Sequence, residues 1–538
     1  HDCHGLDAGH LGHLQQAAAA WAAHGQSLQI GGSALDMTAA LFAGLRELMA
    51  PGPLLAIFGG VIVGILGGAM PGVSPSMAVA ILLPFTFGMT PTMGLVMLCA
   101  IYLASNYGGS ITAITINTPG TPSAVVTAFD GYPLAKQGRA GDALGVSLVA
   151  SVVGGFVGII ILIGFSAPLA KVALKFWPAE YFSLAVLGLT TVASMGGGKW
   201  LEALIAVLLG LLINTVGLDH VSGVSRFTFD ILRLYDGFSF IPALIGLFAL
   251  SEVFTNVEEG NFEPFPSVAD NGRISAWPSL ATYFSLKWGM LRAGVLGTLI
   301  GIFPGAGGTI ASFIAYDVEK RLSKDPEKFG HGSLEGVTAA ESSNSSSVGG
   351  ALVPLLTLGI PGSASTAVLI GALMIHELRP GPELFTKHPE IVYTLFSSLF
   401  VANLVLLLMG ALGSRLWIKV TRVPKSILYP MIFAFSIIGS YAVRSSLFDV
   451  GVCVAFGVVG WLLSRFHYPA SPIVLGLVLG TLIETNMQMT LLMDGPSMFF
   501  TRPLSAVLLG LSVLSLCVPI ITSLRKKLRK DEQREDVA

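Results

Sequence analysis

Apolar runs long enough to cross or half-cross a bilayer recur from residue 53 to residue 523, where a span needs about 20 apolar residues. Backbone that leaves the helix at membrane depth has no water to bond, so such a chain is confined to helices, with irregular stretches only where protein encloses them. Charged residues are 12% of the 538 positions and hydrophobic ones 53%, against about 25% charged in soluble domains. These runs predict an all-α polytopic membrane protein of about 10–12 transmembrane helices plus re-entrant or broken helices. A net charge of −2 and the lack of a basic patch with interleaved aromatics argue against nucleic acid as a partner. The four cysteines are far apart and form no CxxC pair, so neither a zinc site nor a redox motif is indicated.

Against that apolar background, four Pro-Gly breaks stand in matching pairs. "GILGGAMPGVSPSMA" (64–78) aligns with "GTLIGIFPGAGGTIA" (297–311), and "TINTPGTPSA" (115–124) with "TLGIPGSAST" (357–366). Gly64, Gly68, Pro71, Gly72 and Ala78 fall on Gly297, Gly301, Pro304, Gly305 and Ala311; Thr115, Pro119, Gly120 and Ser123 fall on Thr357, Pro361, Gly362 and Ser365. Two halves with broken segments at corresponding places mark a secondary transporter whose repeats meet at a central site, and the repeats are expected to be inverted. The expected division is a non-native or disordered prefix (1–36, rich in His and Ala before Met37), repeat 1 (37–254), a connecting loop (255–286), repeat 2 (287–484), a C-terminal transmembrane helix (485–524) and a basic cytoplasmic tail (525–538). The stretch 38–50 is amphipathic and is expected along the membrane interface. Three basic groups, at Arg415–Lys425, at Arg465 and at Arg525–Lys530, are two spans apart, which puts them on one side and, by the positive-inside bias, in the cytoplasm.

The breaks carry the expected chemistry. Ser74-Pro75 and Thr121-Pro122 place a hydroxyl residue before Pro, the pattern of an N-cap and a first helical position. In the second half Gly307, Gly308, Thr309, Ser363 and Ser365 serve the same end. Four helix N-termini would then point inward, each with free N–H groups and about half a positive charge. They could hold an anion without burying Lys or Arg, which costs roughly 2.5–3.5 kcal/mol or more. The expected substrate- and ion-binding residues are Pro71, Gly72, Ser74, Ser76, Asn106, Asn117, Thr118, Pro119, Gly120, Thr121, Ser123, Pro304, Gly305, Gly307, Gly308, Thr309, Glu341, Asn344, Pro361, Gly362, Ser363 and Ser365. In "AAESSNSSSVGG" (339–350), Glu341 and Asn344 stand one turn apart among serines, either as polar lining or as small residues for close packing. Glu252, Asp449 and Glu484 lie at span ends and read as solvated or structural. No catalytic residue, metal site or cofactor is indicated: "HELRP" lacks the second His of HExxH, and "GGGKW" lacks the Walker Ser/Thr.

The chain resembles the large membrane subunit of bacterial tripartite tricarboxylate transporters from about Leu41 to about Leu514. The stretches that carry the resemblance are "GGAMPGVSPSMAVAILLPFTFGM", "NYGGSITAITINTPGTPSAVVTAFDGYPLAKQG", "GIFPGAGGTIASF" and "GGALVPLLTLGIPGSASTAVLIGAL". The resemblance implies an inner-membrane permease, not an enzyme, that imports citrate-like tri- and dicarboxylates by symport with Na⁺ or H⁺. It implies two protein partners, a small four-helix membrane subunit and a periplasmic solute-binding protein, and an elevator-like motion. The chain departs from the family's Glu-x-x-Asn-Asn pattern by carrying Ser345 after Asn344. Alternatives are a carboxylate channel or exporter on the same repeat and, more remotely, an intramembrane enzyme.

Overall fold

The computed structural model describes residues 34–535 apart from 71, 195–198, 220, 261–277, 306, 421–422 and 494. Most of the prefix and Pro71 therefore lie outside the described residues. Helix α1 (Ala34–Leu48) precedes two sets of eight. The first set is α2 (Pro51–Gly68), α3 (Pro75–Leu82, extended by a 3₁₀ turn to Gly88), α4 (Pro91–Ile116), α5 (Ala124–Lys136), α6 (Ala140–Ala173), α7 (Pro178–Ser194), α8 (Trp200–Asn214) and α9 (Phe240–Glu259). The second is α10 (Leu280–Gly301), α11 (Gly307–Leu322), α12 (Leu334–Leu358), α13 (Ala364–Ile375), α14 (Pro389–Val420), α15 (Lys425–Arg444), α16 (Leu447–Arg465) and α17 (Ala470–Met493). α18 (Pro503–Glu535) closes the chain. Among the described residues the only strands are a two-residue antiparallel pair, Gly217–Leu218 with Ser225–Arg226.

Nine helices among the described residues are long and apolar enough to cross a membrane. α10 and α12 have spanning length at 22 and 25 residues but are too polar to join them. α3 and α13 are apolar and short, as re-entrant pieces should be. Helices outrun the apolar stretches that announce them, so several expected boundaries shift. α9 runs to Glu259, past 254; α10 begins at Leu280, before 287; the boundary at 484 falls inside α17. The charged segment 317–332 opens as helix, its first residues finishing α11 at Leu322. α1 lies against α14, where Ser397 Oγ donates to the Leu41 carbonyl at 2.9 Å and Thr394 Oγ1 to Glu47 Oε2 at 2.9 Å. The helix order keeps the three basic groups two spans apart: α15 and α16 separate the first two, α17 and α18 the last two.

The repeat is visible in the contacts themselves. A Cβ added at Gly64 would meet the Ile101 carbonyl at 2.7 Å, and one at Gly297 would meet the Ser343 carbonyl at 2.3 Å. Gly68 faces Ser105 as Gly301 faces Ser347, and Gly108 lies on Ile65 and Gly68 as Gly350 lies on Thr298 and Gly301. All three pairs share one register, so α2 crosses α4 as α10 crosses α12. Small residues at such crossings let backbones touch in lipid, where dispersion replaces the hydrophobic drive. The remaining helices exchange partners between halves. α3 packs on α13 and α5 on α11; α6 packs on α12 and α14 on α4; α8 packs on α17 and α16 on α9. That reciprocity is what a two-fold relation between the repeats requires. α4 and α12 end up innermost: every residue from Gly336 to Thr357 is buried.

The hairpin between α8 and α9 is pinned to α17 by charge. Arg226 pairs with Glu484 and lies 3.5 Å from Asp219. Burial pushes the Asp219 carboxyl up, but Gln488, the N–H groups of Ser222 and Val221, and Arg226 outweigh it and hold it at about 2. Asp219 is therefore ionised at any physiological pH. Asp449, 3% exposed, accepts from Ser239 at 2.6 Å and is structural, as is Glu484.

Gly297→Val should lower the stability of the detergent-solubilised protein by about 1–3 kcal/mol through overpacking. Gly59→Ala, on α2 with nothing within 4 Å of the added atom, should leave it within about 0.5 kcal/mol. Thermal melts of the two variants check the pair.

Candidate functional site

Each break begins with a helix that loses its last turn and ends with one that starts afresh. α4 stops at Asn117 and α12 at Gly359, equivalent positions that both take left-handed backbone, φ 54° and φ 72°. Asn and Gly are the residues that tolerate this conformation at a helix C-terminus. The restart differs among the four. Ser74 caps α3, accepting from the Met77 N–H at 3.2 Å, with Pro75 first in the helix. Ser363 caps α13 in a capping box with Thr366. α5 starts at Ala124, later than Thr121-Pro122 predicts, although Thr121 Oγ1 still accepts from the Ala124 N–H at 3.3 Å. α11 opens on Gly307 and Gly308 themselves, so Thr309 sits inside its first turn and caps nothing.

All four restarts border one cavity of about 570 Å³. Ser74 and Ser76 come from the first, Thr121 and Ser123 from the second, Gly305, Gly307, Gly308 and Thr309 from the third, Ser363 and Ser365 from the fourth. Tyr102 and Asn106 of α4 join them, and the Tyr102 hydroxyl lies 3.0 Å from Ser363 Oγ, tying one half to the other. Thirteen lining side chains carry hydroxyls, and no Lys, Arg or His lines the wall among the described residues. First-turn N–H groups have no acceptor within their own helix. The cavity thus has positive potential from backbone and donors from hydroxyls, the equipment for an anion.

Sequence and comparison converge at this point. The model of the tripartite tricarboxylate transporter TctA family matches residues 54–475. The chain belongs to this family. An uncharacterized 52.8 kDa protein of the TAR-I ttuC' 3' region of Agrobacterium vitis is 37% identical over 504 residues, covering 93% of this chain and all of that one. An uncharacterized protein of the TAR-II ttuC' 3' region of the same organism is 36% identical over 233 residues, 43% of this chain and 96% of its own. No solved structure matches the chain. The chain is a multi-pass membrane component of a tripartite transport system, and the breaks of this TctA-family protein fall within the matched region.

Several expected ligands stand behind the wall. Asn117 is exposed and spent on its helix cap. Thr118 and Pro119 form the turn, where the Thr118 N–H donates to Thr112 at 3.4 Å. Gly120 presses on backbone: its N–H donates to Gly109 at 3.3 Å, and an added Cβ would meet the Gly68 carbonyl at 2.0 Å. Gly362 is likewise held against Ala351, and its carbonyl accepts from Gly305 N–H at 3.0 Å. Close approach at both glycines is therefore to a neighbouring helix and not to a ligand. Pro304 and Pro361 shape their turns without lining the cavity. Gly72, φ 90°, backs onto Glu252, from which an added Cβ would be 3.3 Å.

Glu341 and Asn344 are also off the cavity. Glu341 is fully buried on α12 and accepts from Ser110 of α4 at 2.5 Å, from Thr127 of α5, and from Ser151 of α6 at 2.9 Å. One carboxylate of repeat 2 thus gathers three helices of repeat 1. Asn344, 1% exposed, points its Oδ1 toward Gly308, where an added Cβ would be 2.7 Å away. The residues that sequence reasoning missed are Ser251, Glu252 and Thr255 of α9 and Ser464, Tyr468 and Ser471 around the α16–α17 turn. Glu252, read from its place at a span end as solvated or structural, lines the cavity. The one available signal was Ser251 and Thr255 at i, i+4, a polar stripe on an otherwise apolar span.

Glu341→Ala should cost about 3 kcal/mol or more, because three buried hydroxyls lose their acceptor at roughly 1–3 kcal/mol each. Asn117→Gly should be near neutral, since glycine keeps the left-handed cap. Unfolding of the two variants in detergent, with uptake as a second readout for Asn117→Gly, checks both.

Proposed function

We propose that this chain is the large permease subunit of a binding-protein-dependent secondary transporter that imports tri- and dicarboxylates of the citrate type, driven by a Na⁺ or H⁺ gradient. The observation that carries the reading is the convergence of four helix N-termini on one hydroxyl-lined cavity without a basic side chain. Each terminus contributes about half a unit charge, so the four together approach about two, close to the charge of a di- or tricarboxylate. The substrate would enter between the restarts, with its carboxylates on the N–H groups of α3, α5, α11 and α13 and on Ser76, Ser123, Ser363 and Ser365. Residual carbonyls at the breaks are candidates for Na⁺. Membership of a tripartite family supports two partners, which we take to be a small four-helix membrane subunit and a periplasmic solute-binding protein. The inner membrane is the expected location, with the basic C-terminus in the cytoplasm. The two-fold relation of the helices supports repeats of inverted topology, the arrangement in which broken helices meet near mid-membrane.

The test is uptake into inverted and right-side-out vesicles from cells that express the chain with its genomic neighbours. Accumulation of one member of a carboxylate panel that needs both an ion gradient and the binding protein is the expected result; flux down its own gradient without either identifies a channel. The double variant Ser76→Ala, Ser365→Ala should raise the apparent KM about ten-fold, the loss of roughly 1.4 kcal/mol of hydrogen bonding, with the amount of protein in the membrane unchanged.

A further inference from the structure

Behind the cavity wall lies a second polar pocket, closed to solvent. Glu341 of α12, fully buried, is held there among the described residues by hydroxyls alone: Ser110 of α4 at 2.5 Å, Thr127 of α5, and Ser151 of α6 at 2.9 Å. A fourth hydroxyl, that of Ser147, stands one turn from Ser151 beside the same carboxyl. It too is fully buried, and it has no hydrogen-bond partner. The charges on the helices packed against α12 are engaged elsewhere. Arg292 of α10 pairs with Glu319 of α11 at 2.8 Å, Arg139 with Asp142 at the start of α6 at 2.8 Å, and Arg321 with Asp317 within α11 at 2.6 Å. Asp130 of α5 accepts from the Tyr316 hydroxyl and the N–H groups of Gly330, Gly332 and Ser333, and Glu335 of α12 accepts from Ser323. Lys136, Lys287 and Lys320 on these helices are exposed. Tyr107 of α4 is within electrostatic reach of Glu341, with Tyr283 of α10 beyond it.

This pocket stands one helical turn behind the cavity on three helices at once. On α4, Asn106 lines the cavity and Ser110, four residues on, the pocket. At the start of α5, Ser123 lines the cavity and Thr127 the pocket. On α12, Asn344 points its Oδ1 at Gly308 of the wall, and Glu341 is one turn before it. One turn is about 5 Å along a helix, so an anion in the cavity is separated from Glu341 by a single layer of residues.

An ionised carboxyl with only neutral partners at membrane depth is costly, and a proton removes the charge that causes the cost. The neutral acid needs one acceptor for its O–H, and the Ser147 hydroxyl is at hand. We propose that Glu341 is the site of the proton that travels with the anion. The inference rests on the reading of the chain as a gradient-driven carboxylate importer, and it adds the cation and the residue that carries it. A negative charge one layer away favours the neutral acid, and by linkage the neutral acid favours binding of the anion to the same degree. Glu341 belongs to repeat 2, and the four hydroxyls around it to repeat 1. A shift of one repeat against the other therefore opens the pocket, and the O–H proton passes to water on the side then open, leaving the carboxylate behind.

Uptake and exchange of citrate, malate, tartrate and succinate are measured in vesicles that hold the complete transport system, with pH and Na⁺ gradients imposed separately. The wild type should accumulate at least one of the four on an acid-outside pH gradient without Na⁺. In Glu341→Gln, an isostere of the neutral acid, that accumulation should fall at least ten-fold while exchange of internal for external substrate persists. In Ser147→Ala the proton loses its acceptor, so the external pH at which uptake is half-maximal should move at least half a unit toward acid, with the amount of protein in the membrane unchanged. This second variant decides the matter should Glu341→Gln fail to reach the membrane. A wild type that accumulates none of the four under either gradient overturns the importer reading and this inference with it. Four results overturn this inference alone: accumulation that needs Na⁺ and ignores the pH gradient, pH-driven accumulation that survives in Glu341→Gln, a membrane-inserted Glu341→Gln that loses exchange as well, or an unmoved pH midpoint in Ser147→Ala.

Discussion

Backbone polar groups set free inside a bilayer have no solvent to turn to, and this fold is organised around four places where that happens. At the C-terminal side of two breaks the answer is local: Asn117 and Gly359 turn left-handed and close off α4 and α12. At the turns the answer is a neighbouring backbone, as when the Gly120 N–H reaches Gly109 and the Gly305 N–H reaches Gly362. At the restarts, hydroxyls of Ser74, Thr121 and Ser363 take one N–H each. First-turn N–H groups of α3, α11 and α13 border one cavity, and α5 meets it through Thr121, Pro122 and Ser123 just ahead of its start. The polarity of the site is therefore what the breaks leave over once their caps and turns have taken the N–H groups they can reach. Small residues are its precondition. Were Gly68 or Gly120 any larger, the first two breaks could not touch, and their helix ends could not face one space.

Symmetry brings the breaks together, and departures from it give the two halves different work. In the register that superposes Gly108 on Gly350, Tyr102 falls on Asn344 and Cys99 on Glu341. Tyr102 reaches across to cap-forming Ser363, whereas Asn344 turns toward Gly308 within its own half. Glu341 binds α12 to α4, α5 and α6, and its counterpart Cys99 is a buried thiol with no such role. The acid at this position of the inner helices is thus on one repeat alone, while Asp130 of the other repeat, buried on α5, accepts from the Tyr316 hydroxyl and from the N–H groups of Gly330, Gly332 and Ser333.

The Pro-Gly breaks, the repeat and the cavity's hydroxyls are legible in the sequence because each is written locally. Pro forbids the helix, Gly permits the turn, and Ser marks the restart. Register between halves needs only counting. Glu341 is a different case: its serine-rich surroundings suggest polarity, but its partners at 110, 127 and 151 come from helices far away in the chain, and nothing local says that they enclose it. Glu252 is hidden for another reason. Its helix carries a lone Gly246 at the π segment, which in an apolar span announces nothing, and a carboxylate near the end of an apolar run looks the same whether it meets water or a cavity. The helix starts only at Ala124 because its N–H is held by the Thr121 hydroxyl and carbonyl, while the Ser123 hydroxyl lies 3.1 Å from that of Thr121 and caps no N–H.

Under the proposed function, helix ends also explain how a cargo held in this cavity could leave it. A buried lysine would present a whole charge at one point, costly to desolvate and hard to part from an anion once paired. Four partial charges spread over four helices divide the same attraction, so that a small shift of one helix end would weaken it stepwise. The departure of any one helix end removes about half a unit charge from the site. Release then needs no group of the protein to be neutralised or withdrawn into lipid. It would need only a slight separation of the helix ends that the cavity brings together.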